Sequence, residues 1–195
     1  MGPSLRHSID VAQFVKACPA ESTTTGTFFQ HVREAVVKRT GAVPGTLLKG
    51  VTTDRWTPFL SYPLRDFMQL AVNAAGILHP NEPLAEGLRR VGWLAYPSFA
   101  STMAGRIVLF AFGEKLEHVV QATPRIFGVT LPGMEVTILD RGARNARMRY
   151  QGVYCFADSY MRGVIEGCIW CHGYEPTITV TVEARPSDAV FFAEW

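Results

Sequence analysis

One change of period organises this chain. Up to about residue 130 the apolar residues recur every three or four positions, and beyond Pro132 they alternate. A helical period cannot sit as a strand, nor the reverse, so a helical half must be followed by a sheet. Leu64, Phe67, Met68, Ala71, Val72, Ala75 and Leu78 mark one face of a helix bracketed by Pro63 and Pro80. A second helix is expected from Asn81 as N-cap, with Pro83 in its first turn, a stripe of Leu84, Leu88, Val91 and Ala95, and an end at Pro97. A third is expected over 98–112, and a short fourth over 114–123 closed by Pro124. Residues 27–39 fit a further helix carrying Phe28, Val32, Ala35 and Val36, while 40–60 give mixed signals.

After Pro132, Met134, Val136 and Ile138 alternate with Glu135 and Thr137, and Met148 and Tyr150 with Arg147 and Arg149. Helical spacing returns over 158–172, with Met161, Val164, Ile165, Cys168 and Cys171 on the face expected to be buried and Gly173 as C-cap. Ile178, Val180 and Val182 then point inward from a strand over 177–183, and 189–195 is the last strand. The expected fold is a single α+β domain over 1–195. Its helical half, about 1–130, packs on one small antiparallel sheet, strand–strand–helix–strand–strand over 131–195.

Composition removes several classes of function. With 48% apolar and 18% charged residues in 195, the chain can bury enough surface to fold. No apolar run reaches 18 residues, so no membrane span is expected. The start lacks a basic segment followed by an apolar one, so the expected location is the cytoplasm. A net charge of +2 does not point to nucleic acid. Arg141, Arg144, Arg147 and Arg149 could hold a phosphate or an acidic surface, but a solvated strand face is the better account of them. No Gly-rich phosphate loop, His-Glu-x-x-His or Gly-x-Ser-x-Gly string is present, and no acidic pair has acid–base spacing, so no enzyme is expected.

Four cysteines, Cys18, Cys155, Cys168 and Cys171, do not make a disulfide scaffold. Cys168-Ile-Trp-Cys171-His172 spells a covalent haem attachment string, and the same residues, with Cys155, could be read as zinc ligands. Their place at the end of an amphipathic helix reads instead as packing, and no metal or cofactor is expected. Gly163 and Gly167, four apart, suit a close approach of this helix to the sheet. Trp93, Tyr96, Phe99 and Phe110 fall beside Ala95, Ala100, Ala104 and Gly105. Such residues fill a core or, joined by Cys168, line an apolar pocket.

A Tyr62-Pro63 step before a helix ending at His79-Pro80, then Leu88-Arg-Arg-Val-Gly92, Thr102-Met-Ala-Gly105, Tyr160-Met-Arg-Gly163, Glu166-Gly167 and a final strand ending in Trp195, occur in order. This stretch, about two-thirds of the chain, resembles a paralogous family of unknown function expanded in myxobacteria. Its late arrangement is similar to the 4-vinyl-reductase-like ligand-binding domains, the haem nitric-oxide-binding domains and subunits of vesicle-tethering complexes. The resemblance implies a helical half on a small antiparallel sheet, often dimeric, with a pocket for a small apolar ligand between them. It also puts His118 near the position of the proximal haem histidine. However, His118 lies off the stripe of Leu116, Val119, Val120 and Thr123, and the propionate-binding Tyr-x-Ser-x-Arg string is missing. The functional expectation is a non-enzymatic, sensory small-molecule-binding module, with a ligand-free interaction subunit and a haem-binding gas sensor as alternatives. Apolar faces in excess of what one sheet can cover suggest a homodimer through the helices, unless residues 1–60 fold back over them.

Overall fold

Two short strands set up the helical half. Thr23–Thr25 (β1) and Ser61–Pro63 (β2) pair antiparallel, with Thr24 opposite Tyr62, and each runs directly into a helix. β1 leads into α2 (Gly26–Thr40), and β2 into α3 (Leu64–Leu78). The computed structural model describes residues 4–102, 105–106 and 115–195. Before β1 lies α1 (Val11–Ala17), capped by the Asp10 carboxylate, which accepts the Gln13 N–H at 3.0 Å. α3 spans the bounds its apolar face requires. Its buried Asp66 accepts the Thr52 N–H at 3.0 Å and the Thr52 hydroxyl, pinning the loop that follows a 3₁₀ turn, Gly45–Leu48.

The segment 4–60 folds back over the helices. Phe29 stacks on Trp56 at 5.1 Å and meets Phe67 edge-on at 5.2 Å, in one cluster with Cys18, Val36, Leu47 and Met68. The α3 face, and that of the next helix, are therefore covered within one chain. The other segment behind the dimer expectation, 98–112, lies largely outside the described residues.

Both prolines expected to end helices lie inside them. α4 runs Leu84–Ser101 through Pro97, and α5 runs Leu116–Thr130 through Pro124. An interior proline costs about 3 kcal/mol through a lost N–H and a clash. Burial of about 1.5–3 kcal/mol per large apolar side chain offsets it: beyond Pro124, Phe127 meets Tyr150 edge-on at 5.6 Å. Pro97 cannot bond the carbonyl of Trp93, four residues earlier, and the backbone of Gly167 covers that oxygen.

The main sheet follows the alternation. β3 (Glu135–Arg141), β4 (Asn145–Gln151), β5 (Thr177–Val182) and β6 (Ala189–Glu194) form an antiparallel sheet in the order β3-β4-β6-β5. Met148 lies opposite both Ile138 and Phe191, so one face carries Val136, Met148, Tyr150, Ile178, Phe191 and Ala193 into a second core. A register shift between Ile138 and Asp140 turns Leu139 outward, and Val182, expected inside, is 41% exposed. Between β4 and β5 the expected single helix is two pieces: a π-turn, Ala157–Met161, entered through Phe156 at φ +50°, then α6, Arg162–Cys171. The fold is α+β as expected, with the β1–β2 pair as an additional sheet. No helix among the described residues is long and apolar enough to cross a membrane.

Candidate functional site: an apolar cavity between helices and sheet

The two cores do not close on each other. Between them lies a cavity of about 130 Å³, walled by every layer of the fold. β1, α2 and α3 contribute Thr24, Phe28, Leu64 and Phe67; α4 contributes Ala95, Tyr96 and Phe99. From α5 come Leu116, Val119, Val120, Thr123, Ile126 and Phe127, and from the sheet side Met148, Tyr150, Ala193 and Trp195. Cys155, the π-turn residues Tyr160 and Met161, and Val164, Ile165, Cys168 and Ile169 of α6 complete it. The wall contains no Asp, Glu, Lys, Arg or His among the described residues.

Of the residues singled out by sequence, Tyr96, Phe99 and Cys168 line this cavity. Trp93 does not. One helical turn before Tyr96 and Pro97, it packs against Trp170 at 4.9 Å in an outer groove with Tyr174 and Pro176. Phe110 lies outside the described residues. Cys168 and Cys171 part company: Cys168 faces the cavity, whereas Cys171, on the last residue of α6, is exposed. Three residues along a helix turn it by about 300°, enough at an exposed helix end to carry the second thiol off the buried face. His172 is tied down by its Nδ1, 2.8 Å from the Cys168 carbonyl oxygen. No group of His, Cys, Asp and Glu suited to a metal ion occurs among the described residues.

Burial governs the chemistry of the wall. It pushes the Cys168 thiol up to about 12, and the Cys155 thiol and the Tyr96, Tyr150 and Tyr160 hydroxyls also rise well above their ordinary values. These groups are neutral at physiological pH, so the described residues of the wall supply neither a thiolate nucleophile nor a charge.

The ordered motifs of the chain converge beside this cavity rather than in it. Arg89 of α4 donates from Nε to Glu166 of α6 at 2.6 Å and from Nη1 to Glu86 at 3.1 Å. Glu86 also accepts the Leu5 N–H and pairs with Arg90; Glu166 also pairs with Arg162. Burial raises the Glu86 carboxyl, but the Leu5 N–H, Arg90 and Arg89 outweigh it and hold the group below its ordinary value. Around this cluster the helices touch backbone to backbone. A Cβ on Gly163 would overlap the Arg89 carbonyl, and one on Gly92 the Tyr160 carbonyl. The glycine pair of α6 therefore serves approach to α4, not to the sheet as its spacing suggested. The sequence reading missed the ion cluster because its partners are 77 residues apart; the Arg89 and Glu166 strings were its one visible trace.

A helical half closed on an antiparallel sheet over an apolar cavity defines the class of protein as an α+β domain with apolar space between its layers. The chain belongs to the family described as "Protein of unknown function (DUF2378)", whose model matches residues 19–195. No curated protein matches it. Among solved structures it is similar to an H-NOX protein from S. oneidensis in the Fe(II)NO ligation state, at 15% identity and a TM-score of 0.67, over 87% of this chain and 98% of that one. It is also similar to an Fe(II) unliganded H-NOX protein from K. algicida, at 11% identity and a TM-score of 0.65, over 87% and 95%. At these identities the likeness establishes a shared fold.

The described residues of the wall do not supply what a haem, the group those neighbours' iron states imply, requires. Haem needs an axial ligand to iron and cations for its carboxylates. The described wall offers no histidine, arginine or lysine, and its thiols are held protonated. His118 is exposed on α5, turned away from the Val119 and Val120 that line the cavity. A volume of about 130 Å³ also lies well below the roughly 300–1,000 Å³ of pockets for larger ligands.

Proposed function

We propose that the protein is a non-enzymatic binding module for a small, apolar, uncharged molecule, held in the cavity between the helical half and the sheet. The observation that carries this reading is the cavity itself: walled by every layer, free of charged side chains among the described residues, and left open where two well-packed cores meet. Apolar space of this size costs dispersion contacts when empty. Its persistence between close-packed cores is expected of a site that a guest fills. A guest touching both the helical half and the sheet can bias their packing, which is how such a module would signal.

The test is extraction of freshly purified protein into organic solvent and mass spectrometry of the extract. Stoichiometric recovery of one small neutral compound supports the reading. A Soret band of near-stoichiometric intensity, lost in His118→Ala, would replace it with the haem sensor. An empty extract, together with no stabilisation by any small apolar probe, would favour the ligand-free interaction subunit.

A further inference from the structure

Resting on the reading of the cavity as a ligand site, we infer that its ligand is a ring-sized neutral molecule bearing a hydrogen-bond acceptor, such as a ketone, aldehyde or lactone, and that Thr24 and Trp195 donate to it. Buried polar atoms are almost always bonded, so the exceptions are informative. Thr24 is 2% exposed and Trp195 8%, both contribute to the wall, and the Thr24 Oγ1 and Trp195 Nε1 atoms have no hydrogen-bond partner among the described residues. Of the wall's other polar groups, the Thr123 hydroxyl donates to the Val119 carbonyl at 2.9 Å and the Tyr150 hydroxyl lies 3.9 Å from Met148 Sδ, while the Tyr96 hydroxyl, likewise without a hydrogen-bond partner among the described residues, is a further donor of the same sign.

Trp195 Nε1 and Thr24 Oγ1 specify the sign of what they would bind. An indole N–H only donates, and a threonine hydroxyl can donate in any direction its rotor allows. Both are satisfied by an acceptor. A carboxylate would accept too, but the described wall offers no cation to offset its desolvation, which leaves a neutral carbonyl. The size follows from the volume, since an apolar cavity of roughly 150 Å³ holds a benzene ring. Nothing in the fold requires the Thr24 oxygen. Its strand pairs through the backbone, opposite Tyr62, and valine has the same shape.

The test compares cyclohexanone with methylenecyclohexane, which differ only in C=O against C=CH₂, by NMR titration of the wild-type protein, Thr24→Val and Trp195→Phe. Thr24→Val is expected to weaken cyclohexanone about tenfold, the loss of one net hydrogen bond, and to leave the hydrocarbon within about twofold. It should also raise the melting temperature of the ligand-free protein, because an unsatisfied hydroxyl is gone. Trp195→Phe should weaken the ketone selectively as well; if it does not fold, Thr24→Val decides alone. Ketone and hydrocarbon responding alike in the variants would overturn the acceptor assignment while the cavity reading stands. Binding of neither probe to the wild type would remove the cavity reading, and this inference with it.

Discussion

Arg89 Nε and Glu166 Oε2 meet at 2.6 Å across the α4–α6 contact, with side chains 1% and 2% exposed. Taking either charge out of water is costly, and only the partner and its further hydrogen bonds offset it. Glu166→Ala is therefore expected to lower unfolding free energy by about 3–5 kcal/mol, because it leaves Arg89 with reduced compensation in a buried place. The double replacement Arg89→Met with Glu166→Leu should cost much less than either single change. Urea unfolding of the three variants separates a buried pair from two independent residues; equal, additive losses would contradict it.

Gly163 and Gly76 should respond oppositely to alanine. A methyl at Gly163 meets the Arg89 carbonyl, and overpacking of this kind costs about 1–3 kcal/mol or more. Gly76 is exposed on α3 with nothing within 4 Å of an added Cβ, so Gly76→Ala should gain about 0.5–1 kcal/mol from helix propensity and a less mobile unfolded chain. Thermal unfolding of both variants gives the answer.

The two thiols of α6 should differ in reactivity. Cys171 is exposed, whereas burial pushes Cys168 up to about 12. With iodoacetamide at pH 8, peptide mapping should show Cys171 modified first and Cys168 modified only once denaturant is added. Cys171→Ser should leave stability within about 0.5 kcal/mol. Cys168→Ser introduces a hydroxyl into the apolar wall and should cost about 1–3 kcal/mol. Faster labelling of Cys168 in the native protein would show that the cavity is open to reagent.

Stability should fall as solutions become mildly acidic. Burial lowers the proton affinity of His31 and His79 below the ordinary 6.5, and the Arg90 charge adds to this at His79. The unfolded chain then binds protons more tightly than the folded one. The stabilisation is complete above about pH 6.5 and is lost as pH falls through the lower folded values. Urea midpoints should drop from pH 7 to 5, and His31→Gln with His79→Gln should flatten that drop. A wild-type midpoint constant over this interval would refute it.

Periodicity alone determined much of this protein: the bounds of α3, the inward Met148 and Tyr150, the strand–strand–helix–strand–strand order, and Cys168 on an inner face. These are local properties, set by which side of a helix or strand a residue occupies, and they survive any arrangement of the elements. Tertiary structure decided what depends on neighbours distant in sequence. Pro97 and Pro124 stop no helix because burial on α6 and the sheet outweighs their local cost. β1 and β2 are three residues each, too short for any period to register, and exist through each other. Arg89 finds Glu166 across 77 residues. Trp93 and Tyr96 are three residues apart on one helix, yet only the packing of α6 against α4 sends one to the outer groove and the other to the cavity. The space between the cores is likewise a property of no segment, because it is the residue left when all the layers have packed.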